Sequence, residues 1–108
     1  MITVDFLTSP EGFITGFRMS GHSGYVPEGE EDIVCAAVTS AALMAMNTVS
    51  DVLMVHPLSS RADYGEIFFR VELKNEADCR SILAGLKLHL LSLEEQYPDN
   101  IHVSYLEV

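Results

Sequence analysis

The chain has 108 residues, 48% of them hydrophobic and none of them Trp, which suffices for one domain with a single core of aliphatic side chains. Six Lys and Arg against 16 Asp and Glu leave a net charge of -10, which argues against direct nucleic-acid binding and suits a basic partner, although an acidic surface also simply keeps a small protein soluble. Two cysteines, with no basic-then-apolar leader at Met1, read as free thiols in a reducing cytoplasm.

Alternation of period two places Ile2, Val4 and Phe6 on one face of a first strand, from Ile2 to Leu7. The turn Ser9-Pro10-Glu11-Gly12 leads into a second alternating run with Phe13, Thr15, Phe17 and Met19 on one face, so the two make a hairpin. Gly21 to Glu31 is different in kind: three glycines and one proline in eleven positions, with neither strand nor helix period. It predicts a long, mobile loop. Asp32 then opens a helix as N-cap, with Ile33 at N1 and Cys35 at N3.

That helix is apolar nearly all round, which predicts burial against the sheet and a second surface. The run from Ile33 to Val55 approaches membrane-spanning length, but Thr39, Ser40, Asn47, Thr48, Ser50 and Asp51 interrupt it, so a buried soluble helix is expected and no membrane contact. Met44, Met46 and Met54 read as core filling. A brief strand fits Pro57 to Ala62, and Tyr64 to Leu73 alternates with Ile67, Phe69, Val71 and Leu73 facing in. Asn75 caps a second helix, with Asp78 three residues on; Leu83, Leu86, Leu90, Leu93 and Tyr97 form its stripe before Pro98. Ile101 to Leu106 closes the sheet. The order ββα(β)βαβ predicts a single α+β domain, residues 1–108, with two helices packed on a mixed sheet.

Cys35 is the most informative residue. A thiol attacks only as thiolate, and a helix N-terminus favours that anion, although Asp32 and the glutamates before it oppose it. His22, 13 residues earlier on the glycine-rich loop, is the local cation and base if the loop folds over the helix start. The plain alternatives are a small buried Cys and a solvated loop His. Cys79 falls on the buried side of the second helix and reads as structural. His56, His89 and His102 show no metal-ligand spacing with the cysteines, and neither CxxC, HExxH nor a phosphate-binding glycine loop occurs, so no metal or other cofactor is expected.

The elements Gly21-His22-Ser23-Gly24-Tyr25, Gly29 and Asp32-Ile33-Val34-Cys35-Ala36-Ala37-Val38-Thr39, with their separation, resemble the bacterial ribosomal-processing cysteine protease family, Prp. The resemblance extends over the whole chain in length and element order. It implies a cytoplasmic homodimeric endopeptidase that removes an N-terminal extension from a large-subunit ribosomal protein, the L-twenty-seven protein. It puts the catalytic pair on Cys35 and His22 and the motif Gly and Asp on Gly21 and Asp32. The family's usual Ser one turn after the nucleophile is here Thr39. Ser23, Gly24, Tyr25 and Gly29 then belong to a substrate loop that orders on binding, and helix-start N–H groups face the oxyanion. Asp32 caps the helix, orients His22, or does both. Glu28, Glu30 and Glu31 suit a basic ribosomal substrate. Two other readings stand beside this one: a non-catalytic ribosome-associated assembly module, and a redox-responsive thiol protein.

Overall fold

A computed structural model describes residues 1–27 and 29–108, so Glu28 lies outside the described residues. Strands β1 (Ile2–Thr8) and β2 (Ile14–Ser20) form the expected antiparallel hairpin. Helix α1 (Ile33–Asn47) follows the loop, then strands β3 (Ser59–Asp63) and β4 (Glu66–Arg70), helix α2 (Glu76–Gln96) and strand β5 (Ile101–Glu107). The sheet order is β3-β4-β2-β1-β5, with β5 parallel to β1 and the other neighbours antiparallel. This is the mixed sheet of an α+β domain, as the element order predicts.

Both helices serve one face of the sheet. Val4, Phe6, Phe17, Phe69 and Ile101 from the strands meet Val34, Val38, Leu83, Leu86 and Leu90 from the helices in one continuous core. Each such side chain contributes about 1.5–3 kcal/mol on leaving water. The opposite face is mostly polar apart from the buried Leu7, with Arg18 bonded to Asp5 at 2.9 Å across β1 and β2. Gly16 is fixed by close approach: a Cβ there would lie 2.1 Å from the Phe69 carbonyl oxygen on β4.

The ends of elements depart from the sequence pattern. Phe13 precedes β2 and is exposed, its ring lying under the Arg80 guanidinium instead of in the core. Leu73 is also exposed, because a 3-10 turn at Leu73–Asn75 breaks the strand period after Val71. That same turn holds Asn75 at φ -99° and ψ 0°, out of the extended geometry a cap needs, and its side chain caps nothing. Glu76, buried in the first turn of α2 and bound through both oxygens to Arg80, supplies the negative charge at that end.

Helix α1 is covered on one side only. Val34, Val38, Ala42, Ala45 and Met46 are buried, while Ile33, Leu43 and Met44 are exposed. Helix α2 is the second surface beside α1, but among the described residues nothing covers the face that carries Ile33, Leu43 and Met44. Met46 fills the core, whereas Met44 and Met54 do not: Met54 is 79% exposed. A π-helical turn (Thr48–Val52) extends the helix, and Met54 ends it at φ 57°, with the Val55 N–H donating to the Val49 carbonyl.

Candidate active site

The start of α1 is built locally. Asp32 is extended (φ -113°, ψ 105°), and its Oδ1 accepts from the Val34 and Cys35 N–H groups at 2.9 and 3.0 Å. Cys35 therefore sits at N3, partly exposed, as the pattern predicts. The other oxygen, Oδ2, accepts a short bond from the Ser23 hydroxyl. Burial alone pushes the Asp32 carboxyl up, but the Ser23 hydroxyl, the amide and thiol of Cys35 and the Val34 amide together hold it below the usual carboxylate value.

The loop is anchored at points the sequence does not mark. Ser23 is buried; its Oγ accepts from the Tyr25 N–H at 3.0 Å, and its carbonyl accepts from the Asn100 side-chain amide at 3.0 Å. Tyr25 turns away to meet the Tyr97 ring edge-on at 5.6 Å. Gly21 is demanded twice over: its φ is +92°, and a Cβ would lie 2.5 Å from the Met1 carbonyl oxygen. Its N–H donates to the Gly65 carbonyl at 3.1 Å, tying the root of the loop to the β3–β4 turn.

Between loop, helix start and β3–β4 turn lies a cleft of about 500 Å³. His22 and Cys35 both line it, together with Asp32, Thr39, Gly21 and Gly29. Ser23, Gly24 and Tyr25 are not in its walls; Ser23 and Tyr25 hold the loop from behind. The far wall is the turn from Ala62 to Glu66, which the strand pattern did not single out as part of a site. Its tip, Tyr64, brings its ring to 5.2 Å from the His22 imidazole. The one cue in the sequence was Gly65, an isolated glycine inside the run from Tyr64 to Leu73 that otherwise alternates.

Cys79 is the counterexample among the thiols. It is fully buried in α2, and burial, with the nearby charges of Asp78 and Glu76, pushes its thiol up. Among the described residues, no group of three or more His, Cys, Asp or Glu is placed to hold a metal ion.

A mixed-sheet α+β domain with an accessible thiol at a helix start, opening on a cleft, is a frame suited to cysteine-protease chemistry. The family model for cysteine protease Prp matches residues 1–102, and the chain belongs to this family. A ribosomal processing cysteine protease Prp of Staphylococcus aureus is 31% identical over 106 residues, covering 97% of this chain and 99% of the relative. That of Bacillus subtilis is 30% identical over 109 residues, covering 96% of each. The crystal structure of the essential Staphylococcus aureus protease with a covalently linked product peptide superposes with a TM-score of 0.86 at 30% identity, over 98% of this chain and all of that one. The same protease with a substrate peptide gives 0.83 at 29% identity, over 98% and 100%.

Proposed function

We propose that this chain is a cytoplasmic endopeptidase that removes the N-terminal extension of a large-subunit ribosomal protein of the L-twenty-seven family. Cys35 is the nucleophile and His22 the base. The reading is carried by the shared cleft: a thiol at N3 of α1 and an imidazole on the loop above it form walls of one space. The thiolate attacks the scissile carbonyl and His22 protonates the leaving amine. Water, deprotonated by His22, then hydrolyses the thioester, releasing the peptide acid and restoring the thiol. A covalently linked product peptide on the Staphylococcus aureus relative is the kind of species such a route passes through.

Asp32 already holds the Val34 and Cys35 amides, so it acts as cap, and those two N–H groups are engaged before any oxyanion forms. Thr39 borders the cleft one turn past the nucleophile. Glu30, also in the wall, suits a basic substrate.

The working unit in this reading is a homodimer formed through the outer face of α1. No charged residue occurs from Ile33 to Ser50, and two copies of a chain with net charge -10 meet at least cost through an uncharged face. Replacing the exposed Met44 by Glu then yields monomers in sedimentation, and an unaltered dimer refutes this placement.

The activity is tested by incubating the protein with the extended ribosomal protein, beside Cys35→Ala and His22→Ala. An intact extension with wild-type protein sinks the reading, and cutting by Cys35→Ala removes the nucleophile assignment. Retention of both proteins uncut, in a salt-weakened complex, is instead the behaviour of an assembly module.

A further inference from the structure

Tyr64 is 82% exposed at the tip of the β3–β4 hairpin, and its ring contributes almost nothing to the core. Yet its place is tightly determined. Asp63 pairs with Glu66 in the ladder, and Gly65 takes φ +80°, leaving Tyr64 as the first residue of a two-residue turn. Arg61 bonds Glu66 at 2.5 Å and Asp63 at 3.3 Å, bracing that turn from below. The β2–β4 ladder runs on past Ser20 and Glu66 through the Gly21 N–H to the Gly65 carbonyl. Tyr64 and His22 thus stand just beyond the last pair of one ladder, and sheet register brings their rings to 5.2 Å with a 53° tilt.

We propose that Tyr64 is a positioning residue for the reaction: its ring steadies the His22 imidazole at the cleft. This rests on the reading of His22 as the base. An aromatic ring beside an imidazole restricts its rotation. The imidazole so held is the group which pairs with a thiolate and delivers a proton to the leaving amine. Among the described residues, the other titratable or charged groups of the cleft are Glu30 and Asp32 from the loop and helix cap, Cys35 from α1, and Asp63 and Glu66 from the hairpin, these last two held by Arg61. All of them remain when Tyr64 alone is replaced, so the effect of its ring is separable.

The experiment compares wild type, Tyr64→Leu, Tyr64→Phe and His22→Ala, with the extended ribosomal protein as substrate and iodoacetamide as a substrate-free probe of Cys35. Tyr64→Leu is expected to lower kcat about two- to fivefold with KM little changed. Alkylation of Cys35 slows with it, because an imidazole free to turn pairs less well with the thiolate. Tyr64→Phe restores both. Thermal melting stays at the wild-type temperature, as the exposure of Tyr64 requires. A Tyr64→Leu protein with unchanged kcat and unchanged alkylation overturns the proposal, as does a change confined to KM, which makes Tyr64 a substrate contact. Full activity in His22→Ala instead removes the base assignment beneath it.

Discussion

Replacing Asp32 by Ala tests the joint between stability and site. The carboxylate accepts from two first-turn amides and from the buried Ser23 hydroxyl. Loss of an N-cap costs about 1 kcal/mol. Leaving the Ser23 hydroxyl without its acceptor adds about 1–3 kcal/mol, tempered because Ser23 keeps the Tyr25 amide. The sum is about 2–4 kcal/mol, or about 1–2 M in the urea midpoint for a chain of this size. Asp32→Asn keeps an acceptor for both amides, so it spares the cap and loses only the Ser23 hydroxyl's acceptor, about 1–3 kcal/mol. It also removes a negative charge beside the thiol, a repulsion of about 1 kcal/mol in a solvated site. Iodoacetamide should therefore modify Cys35 about fivefold faster in Asp32→Asn than in wild type. Urea unfolding followed by circular dichroism and alkylation followed by mass spectrometry measure the two effects separately. An Asp32→Ala midpoint within about 0.3 M of wild type, or an Asp32→Asn thiol that reacts no faster, refutes the reasoning.

The two cysteines should separate cleanly under brief alkylation of the native protein: one adduct, on Cys35, with Cys79 modified only after unfolding, because Cys79 is fully buried and its thiol is pushed up. Equal labelling of both in native buffer contradicts the core placement. Gly21→Ala should melt well below Gly12→Ala. Both sites have positive φ, costing about 1–2 kcal/mol, but only at Gly21 does the new Cβ meet backbone, 2.5 Å from the Met1 carbonyl oxygen. Comparable melting temperatures for the two variants discount the clash. Acid should destabilise the fold through three carboxylates held below their ordinary values: Asp5, chiefly by the Ser104 hydroxyl; Asp32, where burial is outweighed by its hydrogen bonds; and Glu76, by Arg80. Their stabilisation is complete above the unfolded values of 3.8 and 4.5 and is lost as pH falls through the lower folded ones. Urea midpoints should hold level from about pH 6 to about pH 5 and fall below that, and a flat profile down to about pH 3 argues against it.

What the sequence determined by itself is what short-range physics controls. The period-two runs set β1, β2 and the inward residues Ile67, Phe69 and Val71, because side chains alternate across a strand whatever it pairs with. Asp32 before Ile33 set the helix start and so put Cys35 at N3, since a cap acts over three residues. Where a local turn intervened, at Leu73 and Asn75, the same reasoning misjudged exposure and capping by a residue or two. The outer face of α1 was illegible for another reason: apolar residues on every side do not say which neighbours the chain itself supplies. The closed form of the site was decided only by tertiary structure. Ser23 is joined to Asn100 and Tyr25 to Tyr97 across most of the chain, and His22 meets Tyr64 only because β2 lies beside β4. Strand order is settled by the packing of the whole core and not by any one segment, so the far wall of the cleft left no mark in the sequence beyond a glycine in a strand pattern.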